Sequence, residues 1–187
     1  MINKILANKL NILSLIVLTM FTYLLNHCTK IYQCAFMFTC IVLITNFIAF
    51  VHDNRIISLK LLGTSTIISF ILLFKMPYYI DGQIINGLVI ASFISLMTAT
   101  YWSSLIFEKL RKKYFFLLAN FSSIIIAAII DGFIMAIFFL INNKFSLLRI
   151  VDIFVKEVSY KAIYGLTAPI ILFIFLKIFI LIIRARN

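Results

Sequence analysis

The sequence predicts an all-α fold, a polytopic membrane domain of six transmembrane helices, and two observations carry that prediction. Of 187 residues, 64% are hydrophobic and 12% charged, with a mean hydropathy of +1.15. A soluble domain carries about 25% charged residues, so a chain this poor in charge is dissolved in lipid. The apolar residues also fall into long runs, most of them long enough to cross a ~30 Å hydrocarbon core. Little chain is left over, so residues 1–187 are read as one transmembrane domain.

The first run, about 11–26, follows Lys4 and Lys9 as a secretion signal would. No small-residue cleavage site follows it, only Asn26, His27 and Cys28, so a retained first helix is expected. The second run, about 34–51, carries Asn46 at membrane depth, where an amide facing lipid is costly and should bond a neighbouring helix or a ligand. The third and fourth cover about 56–74 and 84–107, and the fifth, 114–141, surrounds Asp131. In residues 146–158, Leu147, Leu148, Val151, Phe154, Val155 and Val158 share one face, opposite Arg149, Asp152, Lys156 and Glu157. That pattern predicts an amphipathic helix in the interface, with Asp152 and Lys156 paired on its wet side. The sixth run, about 160–183, is opened by Lys161 and interrupted by Gly165 and Pro169, which mark a kink.

Orientation follows the basic residues. With both termini on one side, that side collects ten Lys and Arg, four of them in the 108–113 connection, against six on the other. Both termini are therefore expected in the cytoplasm. The net charge of +11 is spread over loops on both faces, so it marks topology and not a nucleic-acid partner. Cys28, Cys34 and Cys40 are odd in number and six apart, which suits neither a disulfide framework nor a metal clip.

Asp131 is the strongest functional lead. Its carboxylate lies about 15 Å from one end of the fifth helix, where a charge costs roughly 2.5–3.5 kcal/mol and is kept for a pathway, a ligand or a partner. Lys161, on the side from which Asp131 is approached, is its expected cationic partner. Small residues recur every fourth position on the fourth helix (Ala91, Ser95, Ala99, Ser103) and the fifth (Ala119, Ser123, Ala127, Asp131). Such faces either pack closely or line a cavity; with Thr100 and Asn120 beside them, and Trp102 as a stacking surface, they are candidate ligand contacts. The chain has no nucleophile with a base, no phosphate-cradling loop and no metal-spaced cluster, so neither an enzyme nor a cofactor is expected.

The runs FTCIVLITNFIAFVHDNRIISLKLLG, VIASFISLMTATYWSSLIFEKLRKK, ANFSSIIIAAIIDGFIMAIFF and SYKAIYGLTAPIIL together resemble the queuosine-precursor transporter (vitamin-uptake transporter) family. The resemblance implies a six-helix inner-membrane protein, similar in fold to the substrate-binding subunits of energy-coupling-factor transporters. Such a protein imports a 7-deazaguanine such as preQ0, preQ1 or queuine for tRNA modification. Asp131 and Ser123 match the family pattern, and Lys161 and Pro169 match it approximately. Thr45 and Asn46 stand where members usually show Thr-Asp, Thr100 and Ser103 where they show Gln and Asp, and Ala128 where they show an amide. Asp131 would then accept the ligand's donor pair, Asn46, Thr100, Ser103, Asn120 and Ser123 would complete the edge contacts, and Trp102 or Tyr101 would stack. The competing expectation is a binding subunit that needs an ATPase module, with the Ala-Ser-Ala-Ser face as docking surface; a homo-oligomer is the other possible partnership.

Overall fold

In a computed structural model of the chain, residues 4–73, 79–80, 83–84, 87–143 and 145–186 are described, with side chains for 10–73, 87–143 and 145–171. Among these residues six α-helices follow one another: α1 (Lys4–Leu25), α2 (Ile31–His52), α3 (Arg55–Leu73), α4 (Leu88–Leu110), α5 (Phe116–Asn142) and α6 (Leu147–Arg186). A hairpin of two short antiparallel strands, β1 (Tyr79–Ile80) and β2 (Gln83–Ile84), lies between α3 and α4 and pairs Tyr79 with Ile84. The helices α2 to α5 are each long and apolar enough to cross a membrane. In lipid only a helix satisfies its own backbone, which is why nearly every described residue is helical.

Polar residues punctuate the chain. Asp53 takes a left-handed conformation (φ 51°) that ends α2, and the Asn54 N–H closes the cap on the Ala49 carbonyl at 3.2 Å. The Asn54 side chain then accepts the Ile56 N–H at 2.8 Å and starts α3. Asn143 (φ 50°) ends α5 in the same way, and Gly87 (φ 81°) precedes α4 where a side chain would be strained.

Packing is inverted relative to a soluble protein. Ile12, Ile16 and Met20 on α1, Ile67 and Ile71 on α3, and Ile129, Phe133 and Ile137 on α5 point outward, while Ser65, Ser69, Thr45, Asn46, Asn120 and Lys161 are buried. An apolar exterior of this extent is a lipid-facing surface. The centre is α2, which packs against each of the other five helices; α1, α3, α4, α5 and α6 surround it in that order, and α1 and α6 do not touch among the described residues. The small faces of α4 and α5 come together: Ser95, Ala99, Ser103, Ala119, Ser123 and Ala127 are all fully buried. Close backbone approach, not a docking surface, is what these residues serve.

The amphipathic segment and the last span, expected as two helices, are one 40-residue helix. Only Ser159 separates the two stretches, and it does not break a helix, so hydrogen bonding continues. Gly165 and Pro169 lie within α6 without ending it. Gly165 is instead a contact point: a Cβ there would sit 2.8 Å from the Ile124 side chain on α5. Gly165→Ala should push α6 off α5 and cost about 1–3 kcal/mol, read as a lower melting temperature of the purified protein. An unchanged melt would mean that the two helices part freely at this point.

Candidate functional site

Asp131 lies in α5, eleven residues before its end, about 16 Å along the axis. Its carboxylate is 8% exposed and touches side chains from two other helices. One oxygen accepts the Ser95 hydroxyl of α4 at 2.5 Å, and the other is ion-paired with the Lys161 ammonium of α6. Lys161 is itself buried, 2.6 Å from the Glu157 carboxylate one turn earlier on α6 and 4.0 Å from the centre of the Phe38 ring of α2. The lysine therefore has two carboxylates and one aromatic face around it. At about 4 Å and an effective dielectric of ~20, each attraction is worth about 4 kcal/mol, and the two attractions outweigh the one carboxylate repulsion. The ionised group holds together but carries a net charge of −1 away from bulk water.

This acid–base–acid group borders a cavity of about 340 Å³ at the hairpin end of the bundle. Asp131 and Glu157 line it, with Phe38, Ser92, Phe139 and Phe145 as further walls and Lys30 and Arg149 near the helix ends. Phe139 and Phe145 meet edge to face, ring centres 5.4 Å apart. The volume is at the low end of small-molecule sites, and a few polar groups on apolar walls is their usual lining. Cys28 and Cys34 also border the cavity, the Cys34 thiol donating to the Cys28 carbonyl at 3.4 Å. Burial pushes the Cys28 thiol up, a Cys34 hydrogen bond opposing it in part, so the thiol stays protonated at neutral pH.

A second polar group lies deeper. Asn46 of α2 donates to Asn120 Oδ1 at 2.8 Å and to Ser123 Oγ at 2.9 Å, both on α5, and reaches Ser103 of α4 at 3.5 Å. Asn46 Oδ1 and Asn120 Nδ2 are buried with no hydrogen-bond partner among the described residues. The arrangement ties α2 to α4 and α5 and borders no part of the cavity described above. Asn46→Leu should cost about 1 kcal/mol, within the range of interhelical hydrogen bonds in membranes, and lower the melting temperature accordingly. A gain in stability would show that the orphaned amide atoms outweigh the bonds made.

The residues singled out from the sequence thus separate into three places. Asp131 lines the cavity and is paired with Lys161, which does not line it; Asn46, Asn120, Ser123 and Ser103 form the deeper cluster. Thr100 is buried with its hydroxyl on the Leu96 carbonyl of its own helix at 2.7 Å. Trp102 and Tyr101 are 47% and 43% exposed and line no part of the cavity, with Arg55 over the Tyr101 ring at 5.8 Å. An interfacial aromatic belt, not a stacking platform, is their place.

Glu157, Ser95 and Phe38 were not foreseen at the site. The pattern grouped Glu157 with the wet face of α6; Asp152 does pair there with Arg149 (3.4 Å) and Lys156 (2.9 Å). Glu157 instead turns inward to Lys161, and their spacing of four was the available signal.

No protein-family model, curated protein or solved structure matches this chain. The class that fold and site define is a helical membrane protein with a charged group at membrane depth beside a ligand-sized cavity.

Proposed function

We propose that the chain is a six-span bacterial inner-membrane importer that takes up a queuosine precursor, a 7-deazaguanine such as preQ0, preQ1 or queuine. Both termini lie in the cytoplasm, the 53–54 connection and the basic 111–115 loop face inward, and the hairpin end faces outward. The carrying observation is Asp131, a buried carboxylate on the wall of a 340 Å³ cavity at the end remote from the basic loops. Each carboxylate oxygen accepts one described donor, and each has a second lone pair for a ligand donor. The N1–H and exocyclic amine of a deazaguanine fit those two positions, and Phe38, Phe139 and Phe145 supply the apolar faces that a flat ring needs.

The reading as a binding subunit driven by an ATPase module loses the support it drew from the Ala-Ser-Ala-Ser face, since Ser95, Ala99 and Ser103 are fully buried. Reconstitution tests the proposal: liposomes containing this chain alone should accumulate labelled queuine, and queuine should raise its melting temperature. Melting unmoved by any purine or deazapurine would reject the ligand class. For topology, a cysteine placed at Lys112 should resist impermeant reagents in intact cells, and labelling from outside would invert the assignment.

A further inference from the structure

We propose that Glu157 binds a single proton that enters with the ligand, making the import proton-coupled; the coupling half of this rests on the import reading above. Asp131, Lys161 and Glu157 meet at one ammonium, so the carboxylate oxygens bonded to it lie within about 6 Å of each other, two hydrogen-bond lengths. Two acids share one base, and the group is one positive charge short of neutral. With its nitrile side group, preQ0 is neutral and does not supply that charge, as the protonated amines of preQ1 and queuine would; with preQ0 a proton supplies it.

The neighbours decide which acid takes it. Asp131 accepts both the Ser95 hydroxyl and the Lys161 ammonium, whereas among the described residues Glu157 accepts from Lys161 alone. Hydrogen bonds to the charged form favour it, so the acid with fewer donors, Glu157, is the one that takes the proton. Glu157 is also the more exposed of the two, at 16% against 8%. The other groups around it leave the deficit in place. From α5 comes Asp131, from α2 Cys34 and Phe38, from the α1–α2 connection Cys28 and Lys30, from α4 Ser92. Lys30 lies 5.9 Å over the Tyr32 ring, and Arg149, two turns earlier on α6, reaches Asp152.

With the proton on Glu157 and Lys161 paired with Asp131, the loaded site is neutral and can be occluded without carrying a bare charge to membrane depth. On the inner side the proton leaves to water with the ligand, so one proton and one positive charge cross per molecule of preQ0.

The proton site is tested without any ligand, on the full chain in lipid nanodiscs, by infrared difference spectra between mildly acid and mildly alkaline buffer. A protonated-carboxyl band should appear on acidification and shift when glutamate is labelled with ¹³C. The chain has only two glutamates, Glu108 and Glu157; the band should persist in Glu108→Gln and vanish in Glu157→Gln. A band that ignores the label, or survives Glu157→Gln, overturns the assignment, and the label alone decides should that variant not fold. Coupling is read in liposomes. Each unit of inward pH gradient should multiply preQ0 accumulation about tenfold in the wild type, one proton per ligand, and leave Glu157→Gln unmoved. A glutamate band without preQ0 uptake keeps the proton site and rejects the ligand; uptake without the band keeps the ligand and rejects the proton.

Discussion

Lys161→Met is expected to be the most damaging single substitution in the chain, lowering stability by about 3–5 kcal/mol, the scale of removing one partner from a buried ion pair. The lysine is 1% exposed and serves both Asp131 and Glu157, so its loss leaves two buried carboxylates facing each other with no cation between them. The Phe38 ring loses its cation at the same time. Charge counting gives the control. Neutralising either acid alone, by Asp131→Asn or Glu157→Gln, leaves one acid for one base, so both variants should melt near the wild type. Adding both to Lys161→Met should recover most of the loss. Thermal melts of the purified full-length variants check the order; a Lys161→Met protein as stable as the wild type would mean that the three groups are not ionised together.

Asp131→Asn should instead show its effect in binding. The amide keeps the shape and one acceptor but puts a donor where the second acceptor was, so it meets a ligand's donor pair badly. The expected loss is about 1.5–3 kcal/mol, roughly ten- to hundredfold in affinity for queuine, the scale of a hydrogen bond to a charged group. Folding should hold, because Lys161 keeps Glu157 at 2.6 Å and the group becomes neutral. Binding and stability therefore separate. Were the variant to be lost on purification while its surviving fraction bound normally, Asp131 would be a structural tie between α4, α5 and α6 and nothing more.

What the sequence by itself determined is what depends on local composition and period. Sixty-four per cent hydrophobic residues in long runs require helices, because nothing else satisfies a backbone in lipid. The same reasoning located Asp131 at depth and named Lys161 as its partner, since so few ionisable groups occupy the apolar runs that the pairing had few candidates. Boundaries were less legible: α1 begins at Lys4 and not near 11, α4 at Leu88 and not 84, because hydropathy marks where a helix meets lipid and not where its hydrogen bonds stop. The tertiary structure decided the rest. Whether Glu157 faced water or Lys161, whether the Ala-Ser-Ala-Ser face lined a cavity or packed, and whether Trp102 reached the ligand all depended on how each helix is rotated and tilted against its neighbours. That rotation is chosen by the packing of the other five helices around α2 and of the pairs in which Asn46, Ser95 and Gly165 find their partners on other helices, and no single stretch of sequence carries it.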